Sequence, residues 1–137
     1  MISLIILAQG DMGEGLLHAI EHVLGKRPAA LEVQPIDYHE SQDTLGQALA
    51  KRIARLDNGQ GVLILADIYG SSHTNAACQL LQPGRVELVS GVNLPMLVRV
   101  LNYRHLSMEA LLRKALSGGT EGIVQATPKS RSAGGGR

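Results

Sequence analysis

Two stretches put reactive or anion-binding residue types where a buried strand would run out. The apolar run Val62 to Ala66 ends in Asp67, and Ile68-Tyr69-Gly70-Ser71-Ser72-His73 follows. A carboxylate in that position is costly to desolvate unless it is paired. Asp67 therefore either orients a donor from a neighbouring loop or caps the helix after it. Gly70, Ser71 and Ser72 offer flexible backbone and two hydroxyls ahead of a helix start, which suits a nest for a phosphate-sized anion or an ordinary N-cap. His73 adds an imidazole to the same loop. The second stretch is Leu4 to Ala8, which passes through Gln9-Gly10 into an amphipathic run opened by Asp11.

The remaining chemistry-bearing residues are less well placed. His18 and His22 stand one helical turn apart but project away from the apolar face of their helix, and the His-Glu-x-x-His order of a zinc hydrolase is absent. His105 falls in a connection between helices, while His39 follows a strand and leans towards the crevice. Neither the phosphate-loop pattern nor Gly-x-Gly-x-x-Gly is present, since Gly10, Gly13 and Gly15 have the wrong spacing. The single cysteine, Cys78, excludes an intramolecular disulfide and a cysteine-based zinc site and reads as a small core residue. No metal and no cofactor is expected. With 13 basic and 12 acidic residues the formal charge is +1, which offers no concentrated basic surface for nucleic acid or anionic membrane. No apolar run approaches membrane-spanning length and no leader-like pattern opens the chain, so a cytoplasmic protein is expected.

These residues need an alternating scaffold to bring them together, and the hydrophobic pattern supplies one. Ile2 to Ala8 reads as a strand, followed by a helix with Asp11 and Glu14 as a capping-box pair and Leu16, Leu17, Ile20, Val23 and Leu24 on its buried face. Gly25 ends it. Leu31 to Ile36 is a strand that Pro35 confines to the sheet border. Ser41 to Thr44 opens a second helix with the stripe Leu45, Leu49, Ile53 and Leu56. Gly61 to Ala66 is a central strand, Asn75 to Leu81 a short helix, and Val86 to Val89 a fourth strand. Asn93 caps a helix with Pro95 in its first turn. Ser107 starts another helix that ends near Ser117-Gly118-Gly119, and Ile123 to Ala126 is expected to form a last short strand. From Pro128 the chain has no apolar anchor and reads as a disordered tail, leaving one domain over residues 1–127.

Strands alternating with helices imply right-handed crossovers and a mostly parallel sheet. At 137 residues the expected solution is a three-layer flavodoxin-like α/β sandwich with strand order beginning 2-1-3-4 and a short C-terminal edge strand. Its switch point would draw Gln9, Asp67 and Asn93 towards one crevice.

The combination of Asp67-Ile68-Tyr69-Gly70-Ser71-Ser72-His73-Thr74-Asn75 with Gly91-Val92-Asn93-Leu94-Pro95-Met96-Leu97 resembles the IIA component of the mannose/fructose class of the phosphoenolpyruvate-dependent sugar phosphotransferase system (PTS). The opening strand and the Gly10-Asp11 loop resemble the start of the same family, so the likeness spans about residues 1 to 126. It implies a cytoplasmic, usually homodimeric phosphocarrier that takes a phosphoryl group from an HPr-like protein onto a histidine and passes it to a IIB partner. The resemblance places that histidine after the first strand, with Asp67 orienting it and Gly10, Gly70, Ser71, Ser72, His73 and Asn93 forming the docking and anion pocket. Here position 9 is glutamine. Its amide nitrogen is not a nucleophile, because the lone pair is delocalised into the carbonyl. Three accounts are open: a regulatory relative that binds partners without being phosphorylated, a substitution at position 9, or another histidine as acceptor, with His73 the first candidate and His39 the second.

Overall fold

The computed structural model describes residues 1–70 and 72–128. Its elements alternate as β1 (Ser3–Gln9), α1 (Met12–Leu24), β2 (Leu31–Ile36), α2 (Gln42–Leu56), β3 (Val62–Ala66), α3 (Ser72–Cys78), β4 (Val86–Ser90), α4 (Leu94–Tyr103) and α5 (Met108–Glu121). The four strands are parallel in the order β2-β1-β3-β4, as the sequence predicts.

Period-two alternation divides the apolar strand residues between two cores. Leu4, Ile6, Leu63 and Leu65 join Leu17 and Ile20 of α1, Leu97 and Val100 of α4 and Leu111 of α5 on one face. Ile5, Leu7, Ile64 and Ala66 join Leu45 and Leu49 of α2 and Ala77 of α3 on the other. Both central strands are thus covered on both sides, which explains their uninterrupted aliphatic runs.

The border strand β2 is tied to α2 by ion pairs. Glu32 accepts from Arg52 at 2.6 Å and from Arg55 at 2.6 and 2.7 Å, and Arg52 also donates to Gln34 Oε1 at 2.9 Å. Hydrogen bonds from Arg55, reinforced by Arg52 and opposed by partial burial, hold the Glu32 carboxyl down at about 2. At the amino-terminal edge of the sheet, buried Arg104 donates to the carbonyls of Ile2, Ala29 and Ala30 at 3.0, 2.6 and 2.7 Å.

Four expectations are corrected. Asp11 occupies the N-cap of α1 but its side chain makes no capping hydrogen bond, so there is no capping box with Glu14. Val23 is 59% exposed, because it sits at the edge of the α1 stripe rather than under it. The short helix begins at Ser72 instead of Asn75 and ends at Cys78, leaving Leu80 and Leu81 in a turn. Ile123 to Ala126 forms no strand: it runs exposed after α5 and pairs with none of the four strands of the sheet. The expected tail lies outside the described residues except for Pro128, which is exposed.

Candidate functional site

The carboxyl ends of β1, β2 and β3 meet as the topology requires, and their following loops build one crevice. Gln9 is the last residue of β1, in register with Ile36 at the end of β2. Gly10 turns the chain out of the sheet at φ +51°, a left-handed conformation that glycine adopts without steric cost. Its N–H donates to the Ile36 carbonyl at 3.2 Å, so the two loops leave the sheet side by side.

Asp67 joins the third loop to the first. Its Oδ2 accepts the backbone N–H of Gln9 at 3.0 Å, and its Oδ1 accepts the N–H of Ile68 at 2.7 Å. Its own N–H continues the β1 ladder by donating to Leu7 at 3.1 Å. Of the two roles open in the sequence, the carboxylate takes the first and orients a donor of the adjacent loop, while also closing its own turn. Charge-assisted bonds to two amides set the path of the chain through Gln9.

A groove of about 680 Å³ opens beside this tether. Gln9, Gly10 and Asp11 form one wall, and Gln34 with residues 35–40 forms the other. Asp11, Asp37 and Glu40 are the charged carboxylates of the lining, which contains no lysine or arginine. A free anion finds little to hold it there, whereas a basic surface would be attracted. A larger groove of about 1020 Å³ lies between α4 and α5, and none of the predicted site residues lines it.

The structure separates the other predicted residues. Gly70, at φ +93°, and Ser72 are exposed around the start of α3, and Ser71 lies outside the described residues. His73 is inside α3 and 7% exposed, its Nδ1 buried without a partner and its ring edge-on to Tyr38 at 4.9 Å between centroids. Asn93 caps α4, with Oδ1 accepting from Met96 N–H at 2.8 Å and Nδ2 donating to the Gly119 carbonyl at 3.2 Å. Both ends of that amide are thus engaged, Oδ1 in capping α4 and Nδ2 in joining it to α5, and the lining it contributes to is a separate depression with Ser90, Gly91 and Ile123. His18, His22 and His105 are exposed on helix or connection surfaces. Among the described residues no cluster of His, Cys, Asp and Glu could hold a metal ion, and no helix is long and apolar enough to cross a membrane.

Sequence reasoning missed the apolar rim. Met12 at the start of α1, Tyr38 after β2, and Ile68 and Tyr69 after β3 are 46%, 57%, 52% and 66% exposed. A legible signal existed for two of them, since Ile68-Tyr69 is an apolar pair between a strand-ending aspartate and a turn glycine. Large apolar side chains grouped around a crevice mark interaction surfaces more often than chance exposure does.

Residues 3–116 match the family described as the PTS system fructose IIA component. The chain is 34% identical to the mannose-specific EIIAB component of Escherichia coli K12 over 96% of its own length and 42% of that relative, so it spans less than half of that longer protein. It is 33% identical to the fructose-specific EIIA component of Bacillus subtilis, covering 85% of the chain and 82% of that relative. Among solved structures, the phosphotransferase system component EIIA of Streptococcus agalactiae superposes with a TM-score of 0.80 at 25% identity over 91% of this chain and 97% of that one. The mannose/sorbose-specific IIA subunit of Enterococcus faecalis superposes at 0.81 over 92% and 95% with 20% identity, a likeness of fold. A crevice held by Asp67 at the ends of β1 and β3, the 2-1-3-4 sheet and these matches agree: the chain belongs to the fructose IIA component family of the PTS system.

Proposed function

We propose that the chain is a cytoplasmic IIA component that docks an HPr-like phosphocarrier and a IIB-like partner over the Gln9 crevice, working as a homodimer in phosphoryl relay. The observation that carries this reading is that large apolar side chains stand exposed after the carboxyl ends of all three strands at the crevice. These are Met12 after β1, Tyr38 after β2, and Ile68 and Tyr69 after β3, in the loop that Asp67 ties to Gln9. Aromatic side chains and Met are enriched in protein docking surfaces relative to the rest of a protein's surface. The acidic groove beside it favours a partner with a basic face.

Gln9 does not itself accept the phosphoryl group. Nucleophilic transfer needs a free nitrogen lone pair, which imidazole has near neutral pH and a carboxamide lacks. A second reading has Gln9 in its favour: a regulatory module that docks the same partners and carries no phosphoryl group.

Titration of the isotope-labelled protein with unlabelled HPr, followed by NMR, tests the docking surface. Shifts are expected at Gln9, Gly10, Ile68 and Tyr69, and the double variant Ile68→Asp/Tyr69→Asp should weaken binding by about tenfold or more, since apolar anchors dominate interface energies. Shifts confined to the α4–α5 groove would overturn the proposal.

A further inference from the structure

We infer that His39 is the phosphoryl acceptor of this crevice, a step that rests on the docking reading above. The sequence favours His73, but the structure encloses that ring at 7% exposure, whereas His39 is exposed and lines the same groove as Gln9. An in-line attack on a phosphorus atom carried by another protein requires a nitrogen that the partner can reach. Among the described histidines, His18 and His22 lie along the outer face of α1, and His105 lies beyond α4 beside Arg104. Since Arg104 binds Ile2, ahead of β1, His105 belongs to the opposite edge of the sheet.

The backbone brings His39 close to position 9. Ile36 is the register partner of Gln9, adjacent strands are about 4.8 Å apart, and three residues reach at most about 11 Å. The chain shortens that span further by turning: Glu40 N–H donates to the Asp37 carbonyl at 3.0 Å, and His39 N–H donates to Asp37 Oδ1 at 2.9 Å. Tyr38 packs edge-on against His73, which anchors the loop just ahead of the acceptor. His73 is then a positioning residue, acting through Tyr38.

The transfer balances without any further reactant. A neutral His39 ring nitrogen attacks the phosphorus of the donor's phosphohistidine. The donor N–P bond breaks with its electron pair returning to the donor ring, and the phosphoryl group moves with its three oxygens. The proton on the other nitrogen of His39 leaves through solvent, and the donor imidazole takes one up. Asp11, Asp37 and Glu40 in the lining repel the phosphoryl oxygens, which makes the adduct a ready donor to the next protein rather than a stable store.

Intact mass after incubation with phosphoenolpyruvate, enzyme I and HPr tests this, with Gln9→His, His39→Gln and His73→Gln run alongside. The unsubstituted protein is expected to gain one acid-labile phosphoryl group, reduced about tenfold or more in His39→Gln and retained, at a slower rate, in His73→Gln. Undiminished modification of His39→Gln would overturn the assignment. If only Gln9→His is modified, docking stands and the acceptor role of His39 falls. If neither the unsubstituted protein nor Gln9→His is modified, the docking reading falls with it.

Discussion

At the scale of single residues, Asp67 makes the least replaceable contribution to the crevice. It spends both carboxylate oxygens on backbone amides, Gln9 on one side and Ile68 on the other. Asp67→Ala leaves two amide donors without their acceptor and should lower stability by about 1–2 kcal/mol, measured by urea unfolding, while weakening HPr binding beyond the loss of stability. Asp67→Asn keeps one carbonyl oxygen and should fall between the two. Equal binding by Asp67→Ala and the original protein would show that loop order at Gln9 is irrelevant to docking. Asp67 was legible in the sequence because a carboxylate after a buried apolar run demands a partner. The reach of Asn93 was not, since the same residue type serves as helix cap and as ligand, and its amide is taken by Met96 and Gly119. Nor was the burial of His73, which depends on Tyr38 from another loop.

Elements were legible where their periodicity was strong and uncertain where tertiary contact decides. The doubly covered strands announce themselves as aliphatic runs, and Ser41, Asn93 and Ser107 each cap a helix through their side chains as their positions imply. The α3 boundary moved because a seven-residue helix is too short for a periodic signal. What no pattern announced is the clamp between α2 and β2, since Glu32, Arg52 and Arg55 carry nothing in sequence that pairs them. The Glu32 carboxyl ionises at about 2 instead of the ordinary 4.5, chiefly through the Arg55 hydrogen bonds. A depressed acid stabilises the fold fully above the unfolded value, and this contribution is lost as pH falls from about 4.5 through about 2. That depression corresponds to about 3 kcal/mol at full strength. With 26% of the Glu32 side chain exposed, screening reduces the expected loss to about 1–2 kcal/mol. Urea midpoints measured from pH 6 to pH 2 should therefore fall less steeply in Glu32→Gln than in the unsubstituted protein. Parallel curves would remove Glu32 from the acid response.

For the whole molecule, the two ends and the two edges of the sheet are treated differently. Arg104 closes the amino-terminal end by gathering three carbonyls from two segments. The carboxyl end is left open for the crevice. The β2 edge is blunted by Pro35 and covered by the Arg52 and Arg55 clamp on Glu32, devices that discourage pairing with another chain. Along the outer edge of β4 only an isolated bridge joins Val86 to Gln82, and no further strand pairs with it among the described residues. Leu116 and Ile123 are 58% and 79% exposed and line the depression with Ser90 at the end of that strand. One open edge beside apolar chain at Ile123 and Val124 is the arrangement expected if the missing fifth strand forms only between two copies, each supplying residues 123–126 to the other. The segment's strand-like composition, legible in sequence, and its lack of a strand partner among the described residues are then two sides of one fact. Light scattering coupled to size exclusion should give a dimer for the unsubstituted protein and a monomer, folded by circular dichroism, for Ile123→Asp/Val124→Asp. A dimer that survives both charges would place the contact elsewhere, whereas an unsubstituted protein that stays monomeric at high concentration would leave β4 a true edge.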